Sequence, residues 1–151
     1  AKEAGCKVLL NAAPAAEIPE AYLKKVDILV VNEVEAAFYL HAEVDTVEKA
    51  KENALKMSTE LGNACIFTLG KEGSVVASAG EVTFIPSKKV DAVESTGAGD
   101  SFIGAVGYAL IHGMNIVNAC EFATGCSAIT VCRYGAQPSM PTLEEVNTQS
   151  Y

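Results

Sequence analysis

Short apolar runs alternate with amphipathic stretches along most of this chain. "KVLLNAAP", "VDILVVNE" and "ACIFTLG" each hold a continuous apolar, mostly β-branched run, which is typical of strands covered on both faces. "GSVVASAGEVTFIPS" alternates instead, and so predicts a hairpin of two strands that turns at Ala79-Gly80. The pattern therefore predicts five strands, of which the last two form the hairpin.

Helical spacing fills the gaps between these strands. "AAEIPEAYLKK" predicts a short helical turn, and "EVEAAFYL" predicts a helix that follows the second strand directly. "DTVEKAKENALKMSTELG" predicts a longer helix, opened by a capping pattern from Asp45 to Glu48 and closed by Gly62.

The last third of the chain predicts helices only. We expect a helix over Asp100–His112, apolar on nearly all sides and ended by Gly113, and then a buried helix ended by Gly135. Thr142 and Glu145 form a capping box that opens a terminal helix. Strands that alternate with helices predict an α/β layered fold with a mostly parallel sheet flanked by helices.

Ligands of such sheets bind beyond the carboxyl ends of the strands. Asn32, Gly70 and Gly73 all follow predicted strand ends, and "ESTGAGDSFIGA" leads from the hairpin into a helix. We therefore expect these four segments to meet at one edge of the sheet.

Three small residues, Gly97, Ala98 and Gly99, stand directly before Asp100. One interpretation is a glycine-rich turn with Asp100 as an ordinary helix N-cap. The other is an anion hole, in which backbone N–H groups face a phosphate while Asp100 accepts the proton of a hydroxyl group. Neither G-x-x-x-x-G-K-[ST] nor G-x-G-x-x-G occurs in the sequence, so a P-loop and a dinucleotide fingerprint are excluded.

Composition narrows the class of protein. The 151 residues suffice for one domain core, and no apolar stretch reaches the roughly 18 residues of a membrane span. A net charge of −8 argues against nonspecific binding to nucleic acid or anionic lipid. Five scattered cysteines without a C-x-x-C pair, and only two histidines, favour reduced core thiols in a cytoplasmic protein over a zinc site or disulfides.

The N-terminal stretch "AKEAGCKVLLN" has neither an initiator Met nor a signal-peptide pattern. It predicts the last turn of a helix, closed at Gly5, that runs into a strand. Because a domain rarely begins there, we expect the chain to be the C-terminal part of something longer.

Three motifs resemble one known family, the ribokinase-like carbohydrate kinases. "STGAGDSFIGA" resembles its C-terminal signature, "NEVEA" at 32–36 its N-E-x-E motif, and "TLGKEG" at 68–73 its nucleotide-binding turn. "NAAPA" and "RYGAQPSMP" are similar to the branch that acts on ribose more than to the fructokinase or adenosine kinase branches. The resemblance runs from end to end of the chain, in the family's order.

The resemblance implies ATP-dependent phosphorylation of a sugar hydroxyl, D-ribose to D-ribose 5-phosphate, by the intact protein. Another kinase of the family, such as a fructokinase or nucleoside kinase, is the alternative. Nothing here resembles the family's N-terminal sugar-binding half and lid. Residues 1–151 are thus expected to be the C-terminal nucleotide-binding and catalytic-base part of a single domain, inactive alone, and a nucleotide-binding fragment without turnover is a further alternative.

Residue by residue, the resemblance makes Asp100 the base and Gly97, Ala98 and Gly99 the anion hole. The implied ATP site is Asn32, Thr68, Leu69, Gly70, Lys71, Glu72, Gly73, Gly99 and Thr124. Glu35, with Asn32, would lie near Mg²⁺, mostly through water. The implied potassium site takes the Glu94 carboxylate, Ser139 and the backbone carbonyls of Thr96, Thr130, Arg133 and Gly135.

Each of these roles has a structural alternative. Asn32 and Glu35 suit a helix start, "TLGKEG" suits an ordinary turn, and Arg133 suits a helix C-terminus. The chain also departs from the family, with Glu94-Ser95 where Asp-Thr is usual and Thr124 where Asn or His faces adenine. These departures bear on cation affinity and nucleotide fit. The implied partners are a small-molecule sugar and ATP, with a homodimer as the intact protein.

Overall fold

A computed structural model describes residues 1–148, which form two compact units, Ala1–Phe84 and a second that begins at Ile85. The strands are β1 (Leu9–Asn11), β2 (Ile28–Asn32), β3 (Ala64–Thr68), β4 (Gly73–Ser78) and β5 (Glu81–Pro86). The helices are α1 (Glu20–Leu23), α2 (Glu33–Leu40), α3 (Val47–Leu61), α4 (Ala98–Ile111), α5 (Ile116–Val131) and α6 (Leu143–Thr148).

The five strands form one sheet in the order β1-β2-β3-β4-β5. β1 with β2 and β2 with β3 pair in parallel, whereas β3 and β4 are antiparallel. Between β4 and β5, Ala79 and Gly80 have φ values of 53° and 82°, the two positive values of the commonest two-residue hairpin turn. Four strands therefore run in one direction, and the predicted hairpin and mostly parallel sheet are confirmed.

The core of the first unit lies between the sheet and α3. Leu29, Val31 and Phe67 belong to this core because alternate side chains of a strand point to the same face. Val30 and Ile66, which point to the opposite face, are buried as well. Ala50 and Ala54, one helical turn apart on α3, share that core. Their small side chains let the helix lie close to the sheet.

The second unit is built on the packing of α4 against α5. Phe102, Val106 and Ala109 on α4, and Ala123 and Ile129 on α5, are buried. Each helix ends in a short turn, and a 3₁₀ turn at Gln137–Ser139 then leads to α6. Within the described part of the chain, no helix has both the length and the apolar character to cross a membrane.

Three predicted helix ends were wrong by one to four residues. α3 begins after Thr46, whose hydroxyl accepts the N–H of Lys49, whereas Asp45 forms an ion pair with Lys49. α4 begins at Ala98 and not at Asp100, and α5 ends at Val131 and not at Gly135. Local sequence offers several capping residues in a row, and only the packing of the helix decides which one it uses.

The prediction for the cysteines holds for three of the five. Cys65, Cys120 and Cys126 are buried, and burial raises the pKa of the first two thiols to about 12 and of the third to about 11. Cys6 and Cys132 are exposed, so they are not core residues. All five are free thiols in the structure.

The position of the α3 cap can be tested by substitution. Thr46→Ala should lower the free energy of unfolding by about 1 kcal/mol because a backbone N–H loses its acceptor. Asp45→Asn removes only an exposed ion pair and should cost less. Urea unfolding of the two variants checks this, and a larger loss in Asp45→Asn would contradict the assignment.

Candidate active site

The predicted residues Asn32 and Thr68 lie at the carboxyl ends of β2 and β3 in the first unit, where they are paired directly across the two strands. Asn32 caps α2: its side-chain oxygen accepts the N–H of Glu35, and the Glu35 carboxylate accepts the N–H of Asn32, at 2.9 and 2.8 Å. Glu35 is only 5% exposed. Both residues therefore have a structural role, while the Asn32 amide nitrogen and the second Glu35 oxygen make no hydrogen bond within residues 1–148.

The predicted nucleotide-binding turn follows β3. It is closed by a hydrogen bond of 2.8 Å from the N–H of Leu69 to the carbonyl of Gly73. Gly73 has a φ of 128°, which strongly favours glycine over any side-chain-bearing residue. Between Leu69 and Gly73, the side chains of Lys71 and Glu72 are exposed. The turn therefore places two charged side chains at the carboxyl end of β3.

Ser74, which the sequence pattern did not single out, is a further polar residue at this end of the sheet. It lies opposite Thr68 in the antiparallel pair, so Asn32, Thr68 and Ser74 form a row on one face of three adjacent strands. The Ser74 side chain is 1% exposed, and among the described residues its hydroxyl is the one buried side-chain polar atom without a hydrogen-bond partner. The feature that singles out Ser74 is its buried hydroxyl group without a hydrogen-bond partner. The sequence alone does not show this feature.

In the second unit, the glycine-rich segment forms the start of α4. Gly97 is the N-cap residue with a φ of 79° and no side-chain cap, and the N–H of Ala98 donates to the carbonyl of Ser95. In the described structure the N–H groups of Gly97, Gly99 and Asp100 have no acceptor. Free N–H groups at a helix start, where the helix dipole is positive, are the parts of an anion site.

Asp100 is exposed in the first turn of α4 and makes no hydrogen bond to the described residues. It is therefore not the N-cap, and the plain capping interpretation of this residue is wrong. Its carboxylate is open to solvent beside the free N–H groups of the turn. A solvent-open carboxylate in that position can accept a proton from a bound hydroxyl group.

Contacts distant in sequence hold this helix start. The Ser127 hydroxyl donates to the Ala98 carbonyl at 3.0 Å, and the Thr130 hydroxyl lies 2.9 Å from that of Ser101. A Cβ on Gly97 would lie 3.3 Å from the Cα and the oxygen of Ala136. The supporting role of these hydroxyl groups was not predicted, because Thr130 was assigned to the cation site for its backbone carbonyl alone. Hydroxyl groups at every third position of the apolar helix α5, at 124, 127 and 130, were a signal in the sequence.

The predicted cation-site residues gather around Glu94. Its carboxylate accepts the N–H of Gly135 at 2.8 Å. Hydrogen bonds from the Thr96 side chain and then from Gly135 lower the pKa of Glu94. Ser139 is fully buried, and its hydroxyl donates to the Ala136 carbonyl at 2.6 Å. Oxygen atoms of the kind that a hard cation binds are thus present in two segments, 94–96 and 135–139, which the hydrogen bond from Gly135 to Glu94 joins.

Three other predicted residues are already engaged. The Thr130 carbonyl accepts the N–H of Arg133, and the Arg133 side chain pairs with Glu145 at 2.6 Å rather than capping α5. The buried Thr124 hydroxyl donates to the Cys120 carbonyl at 2.8 Å. Among residues 1–148, no three His, Cys, Asp or Glu side chains cluster as metal ligands.

A cleft of about 260 Å³ opens along α4 next to Asp100. Its walls are largely apolar, and its lining residues include Gly104, Tyr108, Phe122, Met140, Pro141 and Leu143. Among the lining residues, Asp100 carries a carboxylate, and Ser101 and Tyr108 carry hydroxyl groups. Asp100 therefore lies at one end of an apolar cleft, in the first turn after Gly97.

Comparison with known proteins identifies the family. The sequence profile of the pfkB family carbohydrate kinases matches residues 1–143. The chain belongs to this family. Its match extends over both units, and it includes the turn at 68–73 and the glycine-rich start of α4.

Individual relatives point to one branch. The chain is 38% identical over 148 residues to a ribokinase of Staphylococcus aureus and 42% identical over 147 residues to one of Schizosaccharomyces pombe. These matches cover 97% and 95% of this chain but 49% and 46% of the relatives. A ribokinase of Arabidopsis thaliana, solved with ribose and ATP, superposes with a TM-score of 0.89 at 30% identity, over 97% of this chain and 48% of that one. The chain thus spans about half the length of the curated relatives it matches, and the predicted family and fold are confirmed.

Two glycine substitutions separate structure from function in the turn. Gly97→Ala should cost roughly 1–2 kcal/mol of stability because alanine disfavours a left-handed backbone, and Ala136 leaves little room for its methyl group. Gly99→Ala should cost no stability, since Gly99 lies in the helix with open space around its Cα. It should nevertheless weaken nucleotide binding by crowding a phosphate. Thermal unfolding and ATP titration check both, and an equal loss of stability in the two variants would contradict this geometry.

Proposed function

We propose that the full-length protein containing this chain is an ATP-dependent sugar kinase that phosphorylates the 5-hydroxyl of D-ribose to give D-ribose 5-phosphate. The observation that carries the proposal is the exposed carboxylate of Asp100 beside the free N–H groups at the start of α4. The ribokinases among the relatives support ribose as the substrate.

Asp100 accepts the proton of the sugar hydroxyl as that oxygen bonds to the γ-phosphorus of ATP, while the bond from this phosphorus to the β,γ-bridging oxygen breaks and ADP leaves. The N–H groups of Gly97, Gly99 and Asp100 donate to the phosphoryl oxygens, where negative charge is redistributed during transfer. The positive end of the α4 dipole adds to this stabilisation. Ala98 contributes its small side chain, since its own N–H is bonded to Ser95.

The first unit supplies residues for the nucleotide. Thr68, Gly70 and Gly73 line the ATP site in this proposal, and Leu69, Lys71 and Glu72 complete its turn. Asn32 and Glu35 would lie near a hydrated magnesium ion, whose charge would neutralise the phosphates. The free Glu35 carboxylate oxygen could accept hydrogen bonds from water bound to the metal, and the free Asn32 amide NH2 could donate to a phosphate oxygen, while the capping box fixes both side chains. In this proposal Thr124 contacts adenine through its methyl group, because its hydroxyl is bonded within α5.

The loop around Glu94 is the proposed monovalent-cation site. Glu94 carries a negative charge at neutral pH, because the ordinary pKa of a glutamate lies well below 7 and hydrogen bonds from Thr96 and Gly135 lower the pKa of Glu94 further. Its partners in this proposal are Ser139 and the backbone carbonyls of Thr96, Thr130, Arg133 and Gly135. These oxygen donors fit potassium. A cation held there would add positive field near the turn and keep the loop ordered.

The chain alone is proposed to lack turnover, because the family's sugar-binding half has no counterpart in these residues. Positioning of both reactants contributes about 7–11 kcal/mol to catalysis, and one reactant has no site here. A homodimer and a cytoplasmic location stay predictions for the full-length protein.

A coupled assay of ADP release tests the proposal. The full-length protein should turn over D-ribose faster than fructose or nucleosides, and the isolated 151-residue chain should show no ribose-dependent release. Asp100→Asn should lower turnover by about 10²–10⁴-fold, as expected for loss of a general base, with ATP affinity nearly unchanged. Asp91→Asn, which alters another exposed carboxylate, is the matched control.

Three results would contradict this account. Turnover of another sugar in place of ribose would move the protein to a different branch of the family. Near-normal turnover by Asp100→Asn would remove the base assignment. Ribose-dependent turnover by the isolated chain would show that the sugar site lies within these residues.

The cation site makes a separate prediction. Turnover should rise with KCl at constant ionic strength, and Glu94→Gln should weaken that response because the site loses its negative ligand. Thermal unfolding of Glu94→Gln controls for the lost hydrogen bond to Gly135. Rates that are indifferent to K⁺, Na⁺ and Cs⁺ would exclude the site.

A further inference from the structure

The loop that follows α5 is tied to α6 by one carboxylate. The Arg133 guanidinium approaches Glu145 through two nitrogens, with Nη2 to Oε1 at 2.6 Å and Nη1 to Oε2 at 3.4 Å. The same carboxylate accepts from the N–H and the hydroxyl of Thr142 at 2.8 and 3.1 Å. Glu145 therefore fixes the start of its own helix and the loop residue Arg133 together.

Gly135 and Ala136, later in the same loop, contact two further segments of the second unit. The N–H of Gly135 donates to the Glu94 carboxylate, and the backbone of Ala136 lies against Gly97, where a Cβ would be only 3.3 Å away. Arg133, Gly135 and Ala136 are almost consecutive. A shift of the backbone at Arg133 would therefore displace Gly135, which bonds to Glu94, and Ala136, which contacts Gly97 at the start of α4.

We propose that the side chains of Arg133 and Glu145 position two segments: the proposed cation site around Glu94 and the proposed anion-binding turn at 97–100. In this proposal the ion pair holds the loop from outside the site. Arg133 offers only its backbone carbonyl to the cation, and neither of the two side chains has an assigned contact with ATP, sugar or cation. The inference rests on the proposed function, because its effect is measured on the cation response.

The arrangement suits a positioning role better than a stabilising one. Both side chains are partly exposed, and exposed ion pairs contribute little to overall stability. The contact is two-pronged, however, and two-pronged Arg–carboxylate pairs fix geometry as well as charge.

The test is the potassium dependence of turnover in the full-length protein. Glu145→Gln should raise the K⁺ concentration for half-maximal rate about two- to fivefold, the range expected for a partly exposed ion pair. Saturating K⁺ should restore most of the rate. Glu144→Gln is the matched control: it removes the same charge from the neighbouring exposed residue, whose side chain has no ion pair in the described structure.

A double-mutant cycle with Arg133→Gln separates the pair from its parts. If the pair acts as a unit, the double variant should respond to K⁺ as either single variant does. Thermal unfolding shows that the assay temperature lies below any transition, so loss of folding does not imitate the effect.

Two results overturn the inference alone: a K⁺ response that Glu145→Gln leaves unchanged, or an equal shift in Glu144→Gln. An unaltered protein that ignores monovalent cations would overturn the proposed cation site, and this inference with it.

Discussion

The candidate site depends on one feature of α4: its first turn has no side-chain cap. Most helices satisfy their first N–H groups with a Ser, Thr, Asp or Asn at the N-cap. Here Gly97 occupies that position in a left-handed conformation, pressed against the backbone of Ala136. The N–H groups of Gly97, Gly99 and Asp100 and the Asp100 carboxylate therefore have no hydrogen-bond partner among the described residues. The protein must then hold this turn by other means, which are the hydroxyls of Ser127 and Thr130 on α5.

Both units leave hydrogen-bonding groups unsatisfied where the family's motifs lie. In the second unit these are backbone N–H groups; in the first it is the buried hydroxyl of Ser74 beside Thr68. A buried unsatisfied group such as the Ser74 hydroxyl costs stability in the folded protein. Proteins commonly break the rules of local satisfaction at functional sites and compensate elsewhere. The compensation here is a well-packed pair of helices and a sheet whose central residues are fully buried.

Local pattern was sufficient to predict most elements of the fold. Apolar runs located the strands, Ala79-Gly80 located the hairpin turn, and the capping box at Thr142 opened α6 as expected. Exact helix starts were not predictable where small or polar residues stand in series, as at Asp45-Thr46 and at 97–100. The supporting contacts were out of reach for another reason: Ala136 against Gly97 and Arg133 with Glu145 join residues that sequence spacing does not relate.

The most direct measurement is a crystal structure of the full-length protein with ribose, MgADP and aluminium fluoride, which imitates the phosphoryl group in transfer. The account predicts the fluoride group within about 2.7–3.1 Å of the N–H groups of Gly99 and Asp100, with the Asp100 carboxylate on the sugar hydroxyl. A fluoride group bound away from the start of α4, or a sugar hydroxyl bonded to some other base, would contradict it.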